Sequence, residues 1–378
     1  MTRLIEVLIS LAIVAALFLV ISLVLPSSRN LSEKVETNRK MTIVYDTLNS
    51  LRRFTDWNPL ALQDPRAQIK LSGPESGVGA RLDYTSKVPA LGTGSWEIIE
   101  TDPGHSVTYA VTNPQRGHDK RNVFTFKPTG HNGRNIEITQ NYHVTYGWDL
   151  LGRYAGLYVA RHVGDDMKMG LDRLANMLTT VPNVDYRMQG TKIAGLRTVD
   201  VPAEDLLVVN AGSIPRDADK IEGSMKSNME WIKRTMDASG LVAAGPMRII
   251  STELGRENYT FDVAQPVRRA SSASKAKDGD EGASAMDTAA AAAPPADAAL
   301  TGLKLQGPVK YVHTKPTRAA TASFTGYMTE LENVRNALRA WALTQGLEVT
   351  DRPYETYKNG IEEAFTENGE YDVYWALK

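Results

Sequence analysis

The chain has 378 residues, enough for two or three domains of ordinary size. Lysine and arginine total 43 against 44 aspartate and glutamate, and this net charge of -1 speaks against broad phosphate-backbone binding. Cysteine is absent, which excludes disulfides, thiolate chemistry and every cysteine-containing metal site.

The run from Leu4 to Leu25 is apolar except for Glu6, Ser10 and Ser22. As a helix it rises about 33 Å, against a hydrocarbon core of roughly 30 Å. Glu6 lies near one end, within reach of headgroups. Pro26 and the polar stretch Ser27–Asn30 stop the helix. Residues 1–30 are therefore expected to form a single-pass transmembrane anchor. A cleaved signal peptide is the alternative, but the run exceeds a usual h-region and no small-residue cleavage site follows directly. Arg29, Lys34, Arg39 and Lys40 lean toward a cytoplasmic body, diluted by Glu33 and Glu36.

Residues 31–182 read as one α+β domain. A short strand at 31–37 precedes one or two helical turns ending at Trp57-Asn58-Pro59. Strand-like pieces follow at 67–72, 78–86, 94–101, 105–111, 120–127 and 134–143, separated by Gly, Pro and Asn. A long helix is predicted over roughly 154–178, because Val163, Met167, Leu171, Leu174 and Leu178 make a one-sided stripe. Antiparallel strands bent against one helix can leave a cavity, and Gly77, Gly79, Gly92 and Gly94 are the expected bends.

Residues 191–378 read as a duplicated strand–helix–strand–strand unit. The first copy has a strand at 205–214, a helix over 218–239 and a turn at Gly240-Leu241; the second has a strand before a helix over 328–345 and a turn at Gly346-Leu347. Ile221, Met225, Met229, Ile232 and Met236 mark one buried helix face; Leu331, Val334, Leu338 and Trp341 mark the other. The copies are expected to pair into one pseudo-twofold domain, since neither has enough core alone. Between them, 268–304 lacks aromatic residues and apolar period and is expected to be a disordered insertion.

Trp57-Asn58-Pro59, Gly77-Val78-Gly79-Ala80-Arg81, Gly92-Thr93-Gly94-Ser95-Trp96 and the closing helix make residues 31–182 resemble the START-like, or SRPBCC polyketide cyclase/dehydrase, helix-grip fold. That resemblance implies a hydrophobic cavity under the long helix. Residues 191–378 resemble the gyrase-inhibitor-like effector-binding domain, through the duplication and Pro353-Tyr354-Glu355-Thr356-Tyr357. It implies a central cleft for bulky, often cationic, hydrophobic ligands, faced by Glu355, with small-electrophile hydrolysis in some members. No helix-turn-helix precedes the module, which removes the family's usual transcriptional output.

Glu355 and Tyr357 are two apart and share one face of an extended strand. A carboxylate among aromatic rings attracts a cation, and Trp375 and Tyr327 are the candidate walls. The alternation of 371–375 puts Tyr371 and Trp375 on one face and Tyr374 on the other. The opposing reading makes Glu355 an exposed edge residue and the aromatics packing. Trp57 either gates the first cavity or plugs the sheet. Asp165-Asp166 read as a charged helix face. The scattered histidines lack metal-site spacing, so no metal or cofactor is expected.

The expected function is non-catalytic binding at a membrane: a lipid- or polyketide-like molecule in the first module, a bulky amphipathic or cationic one in the second. Nucleic acid is not an expected partner. The alternatives are a hydrolase using Glu355 with a tyrosine, a polyketide cyclase-like enzyme, or an envelope protein-interaction component. The expected location is the bacterial inner membrane, the body leaning periplasmic by resemblance to anchored envelope proteins.

Overall fold

Alternation of buried and exposed side chains organises the first part of the chain, which the computed structural model describes from residue 2 to 187; residues 193–254, 257–270 and 299–378 are described beyond it. The chain divides into two units, Met1–Asp185 with Thr344–Gly346, and Tyr186–Leu343 with Leu347–Lys378.

The first unit opens with helix α1 (Thr2–Val24). Its segment Arg3–Val24 is long and apolar enough to cross a membrane. Strand β1 (Ser28–Thr37) and the short helices α2 (Met41–Leu48), α3 (Phe54–Trp57) and α4 (Leu60–Gln63) follow. Then come β2 (Gln68–Ser72), β3 (Arg81–Thr85), β4 (Thr93–Asp102), β5 (Ser106–Thr112), β6 (His118–Thr129) and β7 (Asn135–Thr145). The seven strands form one sheet in the order β1-β7-β6-β5-β4-β3-β2, antiparallel at every step. Helix α5 (Leu150–Ala155) and helix α6 (Val159–Thr179) close the unit, and α6 packs on β1, β7 and α3.

The expected stripe is the packing face of α6: Met167, Leu171, Leu174 and Leu178 are buried, and Val163 is partly so. Each fully buried leucine contributes roughly 1.5–3 kcal/mol by leaving water. The single helix expected over 154–178 is broken, however, at Gly156–Tyr158. A Cβ on Gly152 or Gly156 would lie 2.8 Å from the Tyr146 ring, so both glycines seat α5 on that ring and the chain turns before α6. Apolar periodicity does not encode such a contact. Gly94 is also not a bend. It lies inside β4, where a Cβ would come 2.3 Å from the Thr112 carbonyl oxygen.

The second unit contains β8 (Ile193–Val201), β9 (Asp205–Pro215), α7 (Ala218–Ser239), β10 (Leu241–Ala243), β11 (Arg248–Leu254), β12 (Asn258–Arg269), β13 (Lys310–His313), β14 (Thr317–Thr325), α8 (Leu331–Thr344), β15 (Val349–Tyr357), α9 (Gly360–Glu363) and β16 (Glu370–Leu377). Its sheet runs β13-β9-β12-β11-β15-β16-β14-β8, with β10 paired to β12. Strands β8 and β13 were not expected, because at the sheet's ends they lack a consistently buried face. Strand β12 continues through Arg268 and Arg269, opposite Val242 and Leu241, so extended backbone persists past the expected start of the insertion. Residues 271–298 of that insertion lie outside the described residues.

Leu174 has no exposed surface. Leu174→Ala should cost about 2–5 kcal/mol, read as a lowered denaturation midpoint and faster amide exchange in β1 and β7. Lys168→Ala, on the exposed face of α6, should stay within about 0.5 kcal/mol.

Candidate functional site

In the second unit, β15 places Glu355 between Ile249 of β11 and Val373 of β16. It is completely buried, so the edge-residue reading is wrong. Arg335 on α8 donates from Nε to Glu355 Oε1 at 2.5 Å and from Nη2 to the Tyr259 hydroxyl at 3.2 Å. Ser251 Oγ lies 2.9 Å from the same hydroxyl. Burial works against the Arg335 charge, yet Glu355 and Tyr259 outweigh it and hold the guanidinium protonated above its ordinary range. Burial pushes the Tyr259 phenol up to about 12, and the Tyr357 phenol well above its usual value. Glu355 Oε2 and the Tyr357 hydroxyl are buried without a hydrogen-bond partner.

The register gives Glu355 and Tyr357 a common face, with Tyr371 and Val373 opposite them. Tyr357 meets Tyr371 edge-on at 5.1 Å. Trp375 lies opposite Pro353, and its indole N–H donates to the Thr350 carbonyl. Tyr374 takes the other face and stacks on Tyr354 at 4.9 Å. Tyr327 is 44% exposed, just before a 3-10 turn at Met328–Glu330, and takes no part in the buried cluster.

Arg335, Tyr259 and Ser251 were not singled out by sequence. The signal for Arg335 was present: four residues after Leu331 and three before Leu338, it sits on the helix's inward stripe, where a cation requires a buried partner. The carboxylate that strand spacing offered to a cationic ligand is already neutralised.

In the first unit, a cavity of about 220 Å³ lies between α6 and the sheet. Trp57, Tyr84, Trp96, Val111, Tyr142, Val163 and Met167 supply its apolar wall. Trp57 is 2% exposed, packs edge-on against Phe54 and Phe124, and has an indole N–H without a partner. Asn122 and Gln140 occupy buried positions of β6 and β7 where apolar residues would otherwise stand. Gln140 Nε2 donates to Asn122 Oδ1 at 2.8 Å, leaving Gln140 Oε1 buried and unpartnered.

Asp165 and Asp166 divide. Asp165 is exposed, whereas Asp166 lines the cavity and accepts from Gln63 Nε2 at 2.9 and 3.0 Å, which corrects their reading as one charged face. Burial raises the Asp166 carboxyl above the usual range, and the Gln63 hydrogen bond only partly opposes it. At the rim, Lys120 donates to Asn113 and to the Gln115 carbonyl; desolvation pulls its ammonium below the ordinary lysine value.

Both pairings bear on stability. Removing one partner of the buried ion pair, Arg335→Met, should cost about 3–5 kcal/mol, while Arg335→Met with Glu355→Leu should recover much of it; denaturant midpoints of the full chain read both. Asp166 has a folded pKa above its unfolded one, so its contribution is greatest below the unfolded value and is lost as pH rises through the folded one. Asp166→Asn should therefore raise the melting temperature near neutral pH, with the gain shrinking in acid.

Residues 28–179 match the family described as polyketide cyclase / dehydrase and lipid transport. No curated protein matches the chain. Among solved structures, the EcmrR C-terminal domain aligns at 14% identity and a TM-score of 0.35, covering 49% of this chain and 97% of its own. Truncated norcoclaurine synthase from Thalictrum flavum aligns at 14% identity and 0.31, covering 40% and 93%. The matched residues span the sheet and the closing helix that enclose the cavity.

Proposed function

We propose that the protein is a membrane-anchored, non-catalytic binder of a hydrophobic or amphipathic small molecule, and that the cavity of the first unit is its principal site. The observation that carries this is an opening between sheet and helix with an aromatic and aliphatic wall and a few polar residues, Asn122, Gln140 and Asp166, in its lining. A mostly apolar wall with a few polar side chains suits an apolar ligand that carries one or two polar groups. A cavity of about 220 Å³ suits a compact ring system or one end of a lipid chain.

The second unit is read as the duplicated, gyrase-inhibitor-like domain containing the insertion. The sheet order supports this: β9-β12-β11 from one side mirrors β14-β16-β15 from the other. Glu355, Tyr357 and Trp375 remain its proposed ligand-facing group. The Arg335–Glu355 pair favours a neutral or amphipathic ligand over a cation, since a cation would have to displace a charge already bound. The same pair weighs against hydrolysis, which needs a carboxylate free to take a proton from water. The body is placed on the periplasmic face of a bacterial inner membrane. An alkaline phosphatase fusion after residue 40 should be active there; an expressed but inactive fusion would reject that side.

Native mass spectrometry of the full chain, released from nanodiscs after gentle purification from its own host, tests the binding. The wild type should carry a reproducible added mass, lost in Val163→Trp and retained in Glu355→Gln. Loss in Glu355→Gln alone would move the site to the second unit. Absence of any adduct on the wild type would count against the binding function itself.

A further inference from the structure

Helix α1 does not leave the first unit on a free tether. Tyr154 of α5 stacks on Phe18 with ring centroids 4.6 Å apart and donates its hydroxyl to the Phe18 carbonyl at 3.1 Å. Arg153 donates from Nη1 to the carbonyls of Ser22, Leu23 and Leu25 at 3.2, 3.2 and 3.3 Å, occupying the negative end of the helix. Arg153 Nε also donates to the Gly147 carbonyl, and Ser27 accepts from the backbone of Tyr146 and Gly147. Ser22 is fully buried in this junction while the apolar residues around it are exposed.

The depth of these contacts matters. Phe18 lies six residues before Val24, so at 1.5 Å per residue it sits about 9 Å inside the helix end. A helix only just long enough to span a hydrocarbon core puts α5 beside the last turns, at the headgroup–acyl boundary. There the unit presents Trp148 at 83%, Leu151 at 53%, Leu157 at 48% and Tyr158 at 63% exposure. Tryptophan and tyrosine favour that boundary, because each has an apolar ring and a polar N–H or O–H.

We infer that residues 148–158 are a second membrane contact, an interfacial segment that seats the first unit on the bilayer with its cavity rim against the lipid. This rests on α1 spanning the membrane. Continuity with α1 argues for lipid as the occupant. The rim adjoins the segment on both sides. His162, one turn beyond Tyr158, lines the cavity. Gln115, another lining residue, precedes Arg116, which donates to the Asp149 carboxylate at 3.0 and 3.1 Å. A bilayer-dissolved ligand then reaches the cavity without crossing water.

The cysteine-free chain lets single cysteines carry a fluorophore cleanly. The full chain is reconstituted in phosphatidylethanolamine–phosphatidylglycerol vesicles, with a nitrobenzoxadiazole label on Ile13→Cys, Trp148→Cys, Leu157→Cys or Lys127→Cys. Lys127 is nine residues along β6 from His118, about 30 Å toward the opposite end of the sheet. Emission at 148 and 157 should shift to the blue and be quenched by lipid spin-labelled near the headgroup. The label at 127 should be unaffected, and the label at 13 should respond to a deep spin label. Quenching at 13 with 148 and 157 behaving like 127 would overturn the interfacial contact and leave the anchor standing. A blue shift at 148 and 157 without lipid quenching would also overturn it, pointing to a protein or a second copy on the patch. A label at 13 insensitive to lipid would overturn the anchor reading and this one with it.

Discussion

Two amides stand in the inward rows of the first unit, beside the opening between its sheet and α6. Strands β6 and β7 alternate so that every second residue faces the interior, and most of those residues are apolar. Asn122 and Gln140 break the pattern, and they satisfy one another only in part. Both are already buried, and the unpartnered Gln140 Oε1 carries a desolvation cost that apolar contact does not offset. They line the opening between sheet and helix, with Trp57 and Met167 in the wall and Asp166 beside them. Polar residues at several neighbouring inward positions mark where the first unit departs from a closed apolar core.

The second unit solves a similar problem internally. A buried carboxylate is tolerable because α8 brings a guanidinium to it, and a second nitrogen of that guanidinium finds Tyr259 and, through it, Ser251. Such a pair adds little net stability over apolar residues of the same size, since desolvation consumes most of the Coulombic gain. Its physical effect is registry: α8 must sit at one position for Arg335 to meet both Glu355 on β15 and Tyr259 on β12. The unpartnered Glu355 Oε2 and Tyr357 hydroxyl mark where that internal solution is incomplete.

The junction of α1 with the first unit adds a geometric constraint. Arginine at the carbonyl end of an apolar helix, a stacked Phe–Tyr pair and backbone hydrogen bonds accepted by Ser27 leave little freedom between α1 and the sheet. Strand β1 begins within four residues of the helix end and runs the length of the sheet, paired with β7 from Ser28 to Thr37. The orientation of the cavity is thereby tied to the helix axis.

Much of this architecture was legible in residue order, because local burial has a local period. An apolar run as long as a bilayer identifies α1, Gly, Pro and Asn turns mark off strand-like pieces corresponding to β3 to β7, and the stripe from Val163 to Leu178 identifies the packing face of α6. The shared face of Glu355 and Tyr357 follows from strand geometry in the same way. Tertiary structure alone decided what each face meets. It set the Tyr146 ring against Gly152 and Gly156, which split the expected helix, and it turned Asp166 inward while leaving Asp165 in water. It paired Glu355 with Arg335, twenty residues away in another element, and so removed the free charge that spacing had offered. Periodicity reports which side of an element is buried; the partner on that side is set by long-range packing, and the chemistry of a buried charge depends on the partner.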